Sequence, residues 1–146
     1  ILLLYHILYQ VPLQRSMSYN HNRELISSTF SISKDAEFVI SFKPSGKFKE
    51  EEGTYDLSFD TIVNCKETDT IIVEVSCIAQ FSFKDKIKFE EIPDFFYPNS
   101  LAILFPYIRA FVSTLSLQAN SSPIILPTVN LMGLTEELRD NTSVVE

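Results

Sequence analysis

The chain has 146 residues, 45% hydrophobic and 21% charged, the composition of one ordinary globular domain and not of a disordered segment. Twelve basic against nineteen acidic residues give a net charge of −7. That balance argues against nucleic acid as a partner, because such binding rests on Lys and Arg neutralising phosphates. It suits a soluble acidic surface, or basic partners.

The opening stretch, Ile1 to Val11, is apolar, but His6 and Gln10 interrupt it. It is too short to cross a bilayer and lacks the basic segment of a signal peptide. Residues 1–22 are read as an N-terminal extension, a strand or a short helix. From Glu24 the period becomes two: Ile26, Phe30 and Ile32 share a face, and Phe38, Ile40 and Phe42 repeat the pattern. The run KPSGKFKEEEG, residues 43–53, combines turn residues with charges and predicts a solvated connection.

Next, Tyr55, Leu57, Phe59, Val63 and Cys65 alternate with Asp56, Ser58 and Asp60. The short KETD segment that follows predicts an antiparallel hairpin. Beyond it, Ile71, Val73, Val75, Cys77, Ala79, Phe81 and Phe83 form an unbroken apolar face, with Ile72, Glu74, Ser76, Ile78, Gln80 and Ser82 opposite. One side packs and the other is mixed, the pattern of an antiparallel sheet covered on one face. KIKFEEI, residues 86–92, is expected to extend the end of the sheet.

After Pro98 the period turns helical. Leu104, Ile108, Phe111, Val112 and Leu115 make an amphipathic stripe that Asn99 or Ser100 could cap. Pro106 implies that this helix either starts nearer Leu104 or kinks there. The segment ANSSPIILPT, with Pro123 and Pro127, is expected to be extended. A second, short helix is expected from about Asn130, with Leu131, Leu134 and Leu138 on one side. Strands followed by helices define an α+β protein.

The residues that usually carry chemistry are sparse. Gly46, Gly53 and Gly133 are the only glycines, so no glycine-rich phosphate loop can be built, and no GxSxG elbow occurs. His6 and His21 have no neighbour at ligand spacing. Cys65 and Cys77 make neither a disulfide framework nor a zinc cluster, which suggests a reduced, intracellular compartment. Cys77 lies on the packed face as a small core residue. The carboxylates Glu50–Glu52 belong to a loop. The sequons at Asn120 and Asn141 are short enough to arise by chance. The expectation is a protein that is not an enzyme and uses no cofactor or metal.

The segment from Asn99 to Asn130 carries a more specific pattern. Asn99, Leu104, Phe105, Pro106, Tyr107 and Arg109, followed by Pro123, Leu126, Pro127 and Asn130, resemble the SecB family of export chaperones. In that family an Asn-x-LFPY-x-R motif opens the first long helix, and a proline-bracketed apolar loop leads to the second. Two residues, Ser100 and Leu101, stand inserted here, and Ser121-Ser122 replace the glycine usual before the first loop proline. The resemblance covers roughly residues 24–140, that of a divergent member.

The resemblance implies a four-stranded antiparallel sheet covered on one face by a long helix and a short C-terminal helix. It divides the chain into an extension at 1–22, a SecB-like domain at 23–140 and a tail at 141–146. It implies a cytoplasmic homotetramer, a dimer of dimers, without membrane insertion, acting as an ATP-independent holdase for unfolded precursors bound for Sec export. The expected client contacts are Phe38, Ile40, Phe42, Phe105, Tyr107, Ile125, Leu126 and Val129. SecB proteins dock the SecA motor through an outer sheet face, where Ile72 and Glu74 fall in this sequence; Glu24 would add acidity. Two alternatives stand beside this reading: a SecB-like chaperone dedicated to an antitoxin, and a non-chaperone scaffold that reuses the fold.

Overall fold

A computed structural model describes the backbone of residues 7–10 and all atoms of residues 37–118 and 123–145. The expected strand at 24–32, Glu24, both histidines and Asn120 lie outside the described residues. Five strands form one sheet in the order β1-β4-β3-β2-β5. They are β1 (Ile7–Gln10), β2 (Phe38–Lys49), β3 (Thr54–Cys65), β4 (Thr70–Ser82) and β5 (Thr142–Val145). The long helix α1 (Phe96–Gln118) and the short α2 (Leu131–Asp140) complete an α+β architecture. The sheet is antiparallel except where β5 runs parallel to β2. A strand thus stands in the segment 141–146, and another within the first 22 residues.

The period-two patterns become strands for the expected reason. Tyr55, Leu57, Phe59, Val63, Val75, Cys77 and Phe81 all face the helices and are essentially inaccessible. Asp56, Ser58, Asp60, Glu74, Ser76 and Gln80 face the other way and are half-buried. The KETD hairpin turns where expected, with Asp69 at φ 52, a left-handed conformation that Asp tolerates. Aromatic edges tie the sheet to α1: Tyr55 and Phe81 meet Phe96 at centroid distances of 4.8 and 5.5 Å.

Several boundaries differ from the expectation. Residues 43–49 are not a solvated connection but the second half of β2, because Phe42, Pro44, Gly46 and Phe48 keep the period inward while Lys43 and Lys47 point out. Pro44 is tolerated because β2 has an outer edge. The turn falls later, at Glu50–Gly53, where Gly53 takes φ 63 and donates its N–H to the Glu50 carbonyl at 3.3 Å. The KIKFEEI segment does not prolong the sheet; it holds a 3-10 turn at Phe89–Glu91.

α1 begins at Phe96, so Asn99 and Ser100 lie inside it and not at its cap. The Ser100 hydroxyl donates back to the Tyr97 carbonyl at 2.9 Å. The helix runs on through Pro106. Pro106 and Ala102 are both exposed, so the carbonyl that the proline leaves without a donor lies on the solvent side. α1 is long and apolar enough to cross a membrane by length and composition, but here one stripe of it (Leu101, Leu104, Ile108, Val112) is buried in the core. α2 starts after Asn130 as expected, and the Asn130 side chain caps it by accepting from the Met132 N–H at 3.1 Å.

Candidate functional site

Residues 123–130 form neither helix nor strand, and from Pro123 to Pro127 burial alternates residue by residue. Ile124 and Leu126 turn inward and are buried; Ile125, between them, is 65% exposed. Two serines on α1 fix this geometry. Ser113 Oγ donates to the Ile124 carbonyl at 3.2 Å, and Ser116 Oγ accepts from the Ile124 N–H at 2.9 Å. Both main-chain groups of Ile124 are therefore satisfied by the helix, which holds the loop in one alternation. A serine pair at i, i+3 on a stripe otherwise apolar is the sequence signal of this clasp.

Between α1 and the clasped loop runs an open trough of about 560 Å³. Phe105, Pro106, Arg109 and Ala110 form one wall, and Ile125, Val129 and Leu131 the other. Phe105 is the link to the sheet, with its ring 5.7 Å from Phe42 and 6.4 Å from Phe59. Phe42 and Phe59 are themselves 5.7 Å apart. Half-buried Phe38, Ile40 and Phe42 follow one another along the same face of β2.

The expected contact residues divide accordingly. Phe105, Ile125 and Val129 line the trough, and Phe42 packs behind Phe105. Tyr107, 42% exposed, is on another side of α1 and does not line it. Leu126, expected as a client contact, is instead wholly buried in the core, because the hold of Ser113 and Ser116 on Ile124 turns Ile124 and Leu126 inward and Ile125 out. Pro106, Arg109 and Ala110 also line the trough, beyond the expected contacts.

Of the two residues of the second proposed site, Glu74 is half-buried on the opposite face of the sheet. Ile72 is left unpaired where the β3–β4 register shifts between Val63 and Asn64, and it packs against the core instead of standing beside Glu74 on the outer face. Ile62 is paired with Glu74, and Ile78 lies further along the same face. Asp60 accepts from Ser76 Oγ at 2.6 Å, and Asp56 accepts from Gln80 at 2.8 Å and pairs with Lys49 at 3.2 Å. The two aspartates are thus committed within the sheet, while no side-chain hydrogen bond or ion pair among the described residues engages Glu74.

The buried Cys77 thiol is pushed up to about 11 by desolvation, and burial raises Tyr55 above its ordinary value. Cys65, at the end of β3, is lowered, first by a hydrogen bond with the Thr68 side chain. Among the described residues no group of three or more His, Cys, Asp or Glu could hold a metal ion.

The architecture is that of the SecB-like fold. A SecB-like chaperone of Mycobacterium tuberculosis, solved in complex with a ChAD peptide from the HigA1 antitoxin, superposes with a TM-score of 0.57 at 15% identity, over 86% of this chain and 84% of that one. A Streptococcus agalactiae protein of unknown function covers 86% of the chain at 12% identity, with a TM-score of only 0.31. In sequence, an uncharacterized protein of Methanocaldococcus jannaschii is 41% identical over 51 residues, which are 35% of this chain and 33% of that protein. The chain therefore matches about a third of that relative's length. No family model matches the chain.

Proposed function

We propose that the protein is an ATP-independent holdase, a chaperone without catalytic activity or cofactor that keeps unfolded polypeptides soluble on apolar surface. The observation that carries this reading is the open trough between α1 and the 123–130 loop, where Phe105, Ile125 and Val129 are presented by a backbone that is itself tied down. Apolar surface of this kind takes up apolar segments without reading their sequence. Prolines at 106, 123 and 127 stiffen the walls and reduce the ordering that binding would otherwise require. The peptide held by the mycobacterial neighbour is in keeping with a polypeptide ligand.

Suppression of aggregation of a chemically denatured model protein, at stoichiometric dose and without nucleotide, is the direct test. Complete absence of suppression would leave the scaffold reading in its place. Two client classes fit the holdase. The first is precursors for Sec export, with Ile72 and Glu74 docking the SecA motor from a cytoplasmic homotetramer. The second, favoured by the antitoxin peptide in the neighbouring fold, is a dedicated antitoxin. SecA affinity of Glu74→Lys separates them: a loss supports the export role, and unchanged affinity removes the docking assignment. Light scattering that finds a monomer at all concentrations would exclude the tetramer.

A further inference from the structure

The outer edge of β2 is divided. From Gly46 to Lys49 it is paired with β5; from Phe38 to Ser45 no strand among the described residues pairs with it. The direction of the main-chain groups along this edge follows from two hydrogen bonds. The Glu37 carbonyl accepts from the Lys66 N–H at 2.9 Å on the β3 side, and the Gly46 N–H donates to the Asn141 carbonyl at 3.1 Å on the β5 side. Groups alternate along a strand, so odd-numbered residues of β2 bond to β3 and even-numbered ones point outward. Pro44 is even-numbered. It has no N–H to offer, and its carbonyl accepts from the Asn141 side chain at 3.4 Å. Phe38, Ile40 and Phe42 remain, each with an outward N–H and carbonyl.

The same three residues carry the half-buried side chains that lead to Phe105 and the trough. Main-chain pairing groups and an apolar face thus coincide on one short stretch. β5 shows what this edge accepts: Thr-Ser-Val-Val, an extended segment rich in β-branched residues, added in register to the adjoining half.

We propose that the Phe38–Phe42 edge receives an extended segment of a foreign unfolded chain as an added strand. Its main chain bonds to Phe38, Ile40 and Phe42, and its alternate apolar side chains lie beside theirs on the helix-covered face. This rests on the holdase reading and specifies how that site holds its client. Main-chain bonds supply affinity that is indifferent to sequence, and the alternating face asks only for apolar residues at every second position. A charged or proline-rich client segment fails on one count or the other.

The test is residue-resolved hydrogen exchange on the full chain, with and without a short synthetic peptide alternating isoleucine or phenylalanine with threonine. The expected result is alternation: the amides of Phe38, Ile40 and Phe42 slow about tenfold or more, while those of Val39, Ser41 and Lys43, already directed at β3, change little. Binding seen by fluorescence anisotropy without this alternation would overturn strand addition and leave the holdase reading standing. Protection of the even-numbered amides before peptide is added would mean that the chain's own residues occupy the edge, and would overturn the proposal too. No peptide binding at all would count against both readings. Ile40→Pro and Ile40→Ala provide a second measurement. Both shorten the side chain, but only proline removes the outward N–H. Peptide affinity about tenfold weaker for proline than for alanine is expected, and equal affinities would refute the pairing.

Discussion

Along β2, the half from Pro44 to Phe48 and the half from Phe38 to Phe42 share one period, one partner strand and one face of the sheet. In the first half the inward residues are buried; in the second all three are half-buried. The cause lies in what arrives later in the chain. α2 packs on β2, β5 closes the edge at Gly46–Lys49, and Phe83 and Phe89 meet Phe48 at 5.8 and 6.4 Å. Nothing comparable among the described residues covers Phe38 or Ile40. The apolar pattern decides which face turns inward, and the other elements decide how far that face is covered.

The largest effect that sharpens this contrast comes from emptying the covered half. Phe48→Ala is expected to cost about 3–5 kcal/mol, the range for a fully buried Phe that leaves a cavity. Phe38→Ala, which removes half-buried surface, is expected to cost about 1 kcal/mol. Denaturant midpoints at unchanged m-value would measure both. Equal losses would show that the two halves are covered alike.

Next in size is the lock that holds β5 down. Thr142 Oγ1 donates to the Leu138 carbonyl at 2.6 Å, so its one proton is used and Tyr55 must donate to it across 2.8 Å. Gly46 leaves room for this pair, since a Cβ there would collide with the Tyr55 hydroxyl and ring and approach Thr142 Oγ1 at 2.8 Å. Gly46→Ala is expected to cost about 1–3 kcal/mol through overpacking. Thr142→Val should cost about 1–2 kcal/mol by leaving the buried Tyr55 hydroxyl without its acceptor. If β5 frays while the rest of the sheet stays protected in hydrogen exchange, the covered half is held by the lock and not only by burial.

A smaller effect follows from ionisation in the same core. Burial raises Tyr55 above its ordinary value of 10.0 and Cys77 from 9.0 to about 11. In both cases the neutral form is favoured in the fold. Their contribution is full below the unfolded values and is lost as pH climbs through the folded ones. Stability should therefore decline from about pH 9 upward, and Cys77→Ala, though less stable at neutral pH, should decline with a shallower slope. Parallel slopes would mean that Cys77 does not ionise on unfolding.

Much of this arrangement was legible in the sequence, for physical reasons that differ by element. Burial alternates along β3 and along β4 from Val73 onward, so the face and the hairpin between them could be read directly; only at the register shift by Val63 and Asn64 does the pattern slip, leaving Ile71 exposed. α2 announced itself through Asn130 and the spacing of its leucines. The second half of β2 was misread because Pro44 and Gly46 are turn residues by local preference. Proline is tolerated here by an outer edge, and glycine is needed because Tyr55 and Thr142 approach its backbone, and neither fact is local. β5 is four residues long, and β2's edge, not its own pattern, gives it a partner. Of the site, the proline-bracketed loop could be found from its motif, but not which of Ile125 and Leu126 faces out. That choice depends on Ser113 and Ser116 gripping Ile124 from another element.

The smallest expected change in stability carries the most information about function. Ile125 and Leu126 are neighbours with the same volume class and opposite environments, 65% exposed and fully buried. Ile125→Lys places a charge where solvent already reaches, so unfolding free energy should move by no more than about 0.5 kcal/mol. It also places that charge on the wall of the trough facing Phe105 and Arg109, where an apolar client segment would have to desolvate it. Holdase activity should fall severalfold while the fold is untouched. Leu126→Ala should do the reverse, costing about 2–5 kcal/mol with activity per folded molecule nearly unchanged. Aggregation-suppression assays normalised to folded protein separate the two. If Ile125→Lys holds clients as well as the parent chain, the trough is not the binding surface, and the uncovered half of the molecule has some other purpose.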